Sequence, residues 1–150
     1  MALSIPGLLR DRVARTPDAE AMRYRDHGGW VSLTWSELQE RVAAEAFGLA
    51  EKGLRKGDRV ALMGRTSIEW IVTDLAVLAA GGATTTIYPN STAAEVAHII
   101  GDSGSRIVVV ETDEHAASMP DGRFPLSSRL TSPCATPHID IAICSGSSAR

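Results

Sequence analysis

Apolar positions along the 150-residue chain change period several times, and each change predicts an element. Ile5, Leu9 and Val13 recur at spacing four, which predicts a short helix over residues 5–16. Ser4 can cap it, Pro6 is tolerated in its first turn, and Pro17 marks its end. Two extended runs follow, residues 19–25 and 30–34, separated by Asp26-His27-Gly28-Gly29. That separator is turn chemistry, so a β-hairpin is expected. Thr34-Trp35-Ser36-Glu37 has the spacing of a capping box, in which hydroxyl and carboxylate satisfy opposing backbone N–H groups. Leu38, Val42, Ala46 and Leu49 then repeat at helical spacing, and Gly53 stands where a left-handed stop is wanted. Glu40, Arg41, Glu45 and Lys52 are assigned to the water-facing side of this helix.

From Asp58 the pattern becomes rhythmic. Val60-Ala61-Leu62-Met63 and Ile107-Val108-Val109-Val110 are continuous apolar runs, as expected of strands buried on both faces. Residues 84–88 form a further extended run between them. Thr66-Ser67-Ile68-Glu69 and Thr92-Ala93-Ala94-Glu95 read as two more capping boxes. The first opens a helix with Ile68, Ile71, Val72, Leu75, Leu78 and Ala79 on one stripe, ended by Gly81-Gly82. The second opens a helix with Val96, Ile99 and Ile100 inward, stopped between Asp102 and Gly104. The result is β-α-β-α-β. Crossover helices between short apolar strands imply an α/β fold with a parallel sheet and right-handed connections.

After Thr112 the period is lost. Residues 113–119 could begin one more helix, but residues 120–150 hold four prolines and six serines. Such a stretch gains little apolar burial to offset its ordering entropy, so an unstructured tail is expected. The chain therefore divides into a unit over 1–112 and a divergent tail over 113–150. Composition adds little: 44% apolar, 22% charged and a net charge of −3 are ordinary for a globular protein. Acidic and basic residues are spread through the chain, so no nucleic-acid partner is expected. Both cysteines, Cys134 and Cys144, lie in the tail, which excludes a disulfide framework for 1–112 and fits a cytoplasmic address. The apolar stretch at 71–83 contains Thr73 and Asp74 and is too short to span a bilayer, so no transmembrane segment is expected.

Leu33-Thr34-Trp35-Ser36-Glu37-Leu38, Gly57-Asp58-Arg59-Val60-Ala61-Leu62-Met63, Glu69-Trp70, Ala80-Gly81-Gly82-Ala83, Tyr88-Pro89 and Asp102-Ser103-Gly104 follow in order. That succession resembles the N-terminal region of adenylate-forming, AMP-dependent synthetases, and most of all the long-chain fatty acyl-CoA ligases. The resemblance covers roughly residues 4–112. It implies an incomplete piece of the ligase large domain. It also implies a family reaction in which ATP and Mg²⁺ activate a carboxylate as an acyl-adenylate, which is then passed to coenzyme A. The family performs this with a Ser/Thr-Gly-rich loop ending in Pro-Lys-Gly, an acidic magnesium ligand, a ribose-binding Asp and a Lys on a small C-terminal domain. All of these lie downstream of the matched region.

Transfer of an adenylyl group needs backbone N–H groups, a metal and cationic side chains around the phosphates. Ser145-Gly146-Ser147-Ser148 matches the start of such a loop superficially, but no Gly-x-Pro-Lys-Gly follows and it comes too soon after Val110. A chance Ser/Gly tail explains it better. Lys52 and Lys56 both precede the first buried strand and are not placed to act. Gly64-Arg65-Thr66-Ser67 follows a strand and opens a helix, where N–H groups could hold an anion. It lacks the glycine spacing of a nucleotide loop, so a plain connection capped by Thr66 is the better reading. Cys134, His138 and Cys144 match no zinc spacing. His27 and His98 have no triad partner at a useful spacing. Trp35 and Trp70 are read as core anchors, and Tyr88-Pro89 ends a strand at its carboxyl edge. In the family that neighbourhood can face the coenzyme with a basic residue, but Asn90 and Ser91 follow here. No catalytic, cofactor-binding or metal residue is assigned, and no cofactor is expected for this chain.

The expectation is a truncated acyl-CoA ligase, inactive alone, whose tail arises from a frameshift or deletion. An unpaired sheet edge would then invite self-association or pairing with another ligase chain. The alternatives are an interaction module for a full-length ligase and a non-functional remnant.

Overall fold

The computed structural model describes residues 4–26 and 28–117, Met119, and the backbone of two later strands. Helix α1 (Ile5–Arg15) starts at Ser4, whose Oγ accepts from the Gly7 N–H at 3.2 Å. The hairpin follows as β1 (Glu20–Asp26) and β2 (Gly29–Thr34), paired antiparallel. Helix α2 (Trp35–Glu51) opens on the expected capping box. Thr34 Oγ1 accepts from the Glu37 N–H, and the Glu37 carboxylate accepts from the Thr34 N–H at 2.8 Å. That bond is the main reason the Glu37 carboxyl lies below the usual carboxylate range.

The rhythmic region forms β3 (Arg59–Met63), α3 (Ile68–Ala79), β4 (Ala83–Ile87), α4 (Ala93–Ser103) and β5 (Ile107–Val110). Strand β3 lies between β4 and β5 and is parallel to both. Successive side chains of β3 and β5 are buried on alternate faces. Val60, Leu62, Ile107 and Val109 join Leu38, Val42, Leu49, Val72 and Val77 on the face covered by α2 and α3. Ala61, Met63, Val108 and Val110 join Val96 and Ile100 of α4 on the other face. The two crossover helices thus sit on opposite faces, as a constant crossover hand requires when the chain moves to either side of β3. Helix α5 (Asp113–Ala117) adds Ala116 to the α4 face.

Two expectations are corrected. Helix α3 is capped by Ser67, whose Oγ accepts from the Trp70 N–H at 3.2 Å, and not by Thr66. Glu69 is therefore at the second helical position and cannot close a box. The second correction concerns the stretch expected to lack structure. It contains β6 (Ser128–Leu130) and β7 (Ile139–Ile143), and β7 pairs antiparallel with β5 while β6 pairs with β7. The outer edge of β5 is covered by β7, giving the order β4-β3-β5-β7-β6 with β4 at one edge.

Capping is worth measuring at α4, whose box is complete: Thr92 Oγ1 accepts from Glu95 N–H and the Glu95 carboxylate from Thr92 N–H at 2.8 Å. Thr92→Ala is expected to destabilise the fold by about 1 kcal/mol in urea unfolding. No loss would mean that this helix start is held by packing alone.

Candidate functional site

Open parallel sheets bind ligands at the carboxyl ends of strands, where neighbouring strands send their connections to opposite faces. Here that place lies between β3 and β5, since β3 leads to α3 on one face and β5 to α5 on the other. A small, shallow cleft, partly open to solvent, lies there, lined by Gly64, Arg65, Ser67, Glu69, Trp70 and Glu111 together with strand residues.

Its geometry follows from register. Met63 pairs with Val110, so Gly64 and Glu111 are the first residues beyond adjacent strand ends, and the Glu111 N–H donates to Met63 O at 3.1 Å. The Glu111 side chain folds over Gly64. A Cβ built on Gly64 would stand 3.0 Å from Glu111 Cβ and 3.2 Å from its Oε2, so a larger residue would push the carboxylate away. The Arg65 N–H donates to Glu111 Oε2 at 2.7 Å, and its guanidinium donates to Oε1 from Nε and Nη2, each at 3.3 Å. The Arg65 N–H and guanidinium, two of the donors that could receive an external anion at Gly64-Arg65-Thr66-Ser67, are thus engaged by the protein's own carboxylate.

The other residues singled out in the sequence do not converge on this cleft. Lys52 and Lys56 lie in the connection before β3, at the amino end of the sheet and opposite the cleft; Lys56 packs on Gly81. Trp70 lines the cleft and packs on the core, whereas Trp35 packs at the start of α2 beneath the Arg12 guanidinium, 5.2 Å from the ring centroid. Tyr88 is 79% exposed beyond β4, and His98 is exposed on α4. His27, Cys134, His138, Cys144 and Ser145-Gly146-Ser147-Ser148 lie outside the described residues. Among the described residues no group of three or more His, Cys, Asp or Glu could hold a metal ion, and no helix is long and apolar enough to cross a membrane. Among the described residues the Arg65 N–H is held by Glu111, and both lysines lie at the end of the sheet opposite the cleft.

Two of the motifs that carry the family resemblance, Gly57-Asp58-Arg59 and Ala80-Gly81-Gly82-Ala83, have structural work at the opposite end of the sheet. Asp58 accepts from the Arg55 N–H at 2.9 Å and from Arg106 Nη1 at 3.2 and 3.3 Å, while its carbonyl accepts from the Ala83 N–H at 3.0 Å. Gly81, at φ 84, lets the end of α3 turn back so that its carbonyl accepts from the Gly57 N–H at 2.9 Å.

The family model described as AMP-binding enzyme matches residues 9–138. This chain belongs to the AMP-binding enzyme family. The matched residues run past Thr112, where family-like sequence was expected to stop. The long-chain-fatty-acid–CoA ligase FadD15 of Mycobacterium bovis is 38% identical over 89 residues, covering 59% of this chain and 15% of the ligase. Malpibaldin synthetase of Mortierella alpina is 38% identical over 110 residues, covering 73% of this chain and 2% of the synthetase. The crystal structure of the N-terminal domain of FACL13 from Mycobacterium tuberculosis superposes with a TM-score of 0.64 at 30% identity, over 71% of this chain and 27% of that one. The chain thus spans about one seventh of the length of the fatty-acid ligase it matches.

Glu111 escaped the sequence reading. It stands 46 residues from Arg65, and no local spacing links them. The usable signal is positional: each is within two residues of the carboxyl end of a buried strand. Glu45 was misassigned. It is half-buried against α3, where the buried Thr73 hydroxyl donates to its Oε1.

Proposed function

We propose that this chain is the opening α/β portion of a long-chain fatty acyl-CoA ligase and does not by itself activate a carboxylate. The family reaction joins a fatty acid to coenzyme A through an acyl-adenylate, at the expense of ATP. On this reading residues 1–112 form the partial adenylation-domain unit, the tail lends two strands to its sheet, and the protein works in the cytoplasm. What supports the reading is that the Arg65 N–H and guanidinium, donors at the carboxyl end of the sheet, are held by the Glu111 carboxylate. The fatty-acid ligase relatives support the substrate class.

Nucleotide and coenzyme binding test the proposal directly. A ligand that binds only the folded chain raises its apparent stability by mass action, by about 2.7 kcal/mol at a hundredfold excess over Kd. Titration with Mg²⁺-ATP or coenzyme A into the millimolar range is expected to leave the melting temperature unchanged. A saturable upward shift would overturn the reading.

A second reading, an interaction module for a full-length ligase, is favoured by β4. Among the described residues no strand pairs with its outer edge, and residues 83–87 carry no charge to discourage pairing. Co-purification with a full-length ligase would support it.

A further inference from the structure

We propose that the seam between α2 and α3 is a proton-operated clasp, in which Glu45 enters the buried edge beside Thr73 as the neutral acid and loosens α2 from α3 once ionised, with the Thr73 hydroxyl offsetting part of that loss. The geometry is that of an internal contact. Thr73 has no exposed surface, and its hydroxyl, 28 positions along the chain, donates to Glu45 Oε1. Glu45 stands between Val42 and Leu49, both buried, so its side chain enters the edge of the core instead of the solvent. Val72, Ala76 and Val77 of α3 belong to the same core. A carboxylate held there loses hydration that one hydroxyl donor does not restore.

One neighbouring charge pushes the same way, and the nearby cations act elsewhere. From α3, the carboxylate of Glu69 acts on Glu45 with like sign. On α2, one turn earlier, the Arg41 charge acts on Glu37. On α1, the Arg12 guanidinium lies over the Trp35 ring. Burial, first, and Glu69, with Thr73 opposing, raise the Glu45 carboxyl to about 7 from a usual 4.5. The folded state therefore holds a proton that the unfolded chain releases between those two values. Stability from this group is complete below about 4.5, falls as pH rises toward 7, and is level above it. Glu69 also lines the cleft, so the seam and the cleft share one wall.

The test compares unfolding of the full chain at pH values from 5 to 8 with that of Glu45→Gln, Glu69→Gln and Thr73→Val. The wild-type folding constant is expected to fall by close to tenfold per pH unit between about 5 and 7. Glu45→Gln keeps an acceptor for Thr73 and is expected to abolish that slope. Glu69→Gln should move the upper end of the slope to lower pH, and Thr73→Val, which removes the donor to the carboxylate, should move it higher. A purely structural bridge would change stability equally at every pH. A slope that persists in Glu45→Gln overturns the proposal, as does a wild-type stability that is level or rising across the window. If Glu45→Gln does not fold, the opposed shifts in Glu69→Gln and Thr73→Val decide, and their absence counts against the clasp.

Discussion

Leu62→Ala is expected to lower the stability of the fold by about 3 kcal/mol, among the larger effects of any single truncation. Leu62 is 3% exposed and lies on β3, the strand with a parallel neighbour on each side. It packs where the sheet meets α2 and α3, with Val60, Val109, Val72 and Val77 in the same core. Truncation removes apolar burial and leaves a cavity, because strands hydrogen-bonded on both sides cannot close in. Domains of this kind are stable by only about 5–15 kcal/mol, so the loss is a large share of the whole. The urea midpoint should fall with its slope unchanged. Thr86→Ala, at an exposed position of the edge strand β4, should move it by less than about 0.5 kcal/mol. Equal effects from the two substitutions would mean that β3 is not the centre of the folded sheet.

The second large effect is expected at the opposite end of the sheet. Asp58→Ala should cost about 1–2 kcal/mol, because it removes the acceptor of a backbone N–H and of a guanidinium together. The Asp58 side chain is 17% exposed where it receives Arg55 N–H and Arg106, and the half-exposed Arg106 side chain keeps water within reach. Those bonds tie the connection before β3 to the connection before β5, 48 positions away. Asp58→Asn keeps an acceptor for the Arg55 N–H while dropping the charge, and should lose about half as much. Urea unfolding of the two variants measures the difference. If Asp58→Ala matched the wild type, the Gly57-Asp58-Arg59 motif would have no role in holding the sheet.

Local chemistry was legible along most of the chain. The alternation of apolar runs and helical stripes marks β3 to β5 within a residue at either end, and the boxes at Thr34 and Thr92 stand where the spacing puts them. Thr66 and Ser67 are adjacent hydroxyl residues, and spacing alone could not choose between them. What chose is the packing of Ile68, the first residue of α3, into the core. Glu45 was assigned to water on its charge, although it is three residues after Val42 and four before Leu49, on the stripe that faces α3. In the tail, Ile139, Ile141 and Ile143 recur at period two, a signal hidden among the serines and prolines around them. Their pairing with β5 depends on register between distant segments, which no local pattern specifies. The cleft was hidden for the same reason: Arg65 and Glu111 meet only once β3 and β5 lie side by side.

The Gly57-Asp58-Arg59 and Ala80-Gly81-Gly82-Ala83 motifs fix the amino end of the sheet, and at its carboxyl end the Arg65 donors already hold Glu111. The proposed function makes one central claim, that the chain carries the scaffold of an adenylating fold without performing its chemistry alone. Pyrophosphate release by the purified chain, given ATP, Mg²⁺ and a panel of fatty acids with and without coenzyme A, tests that claim most directly. The expected result is release at the level of a no-protein control for every acid. Release that depends on a fatty acid and rises with the amount of this chain would contradict it.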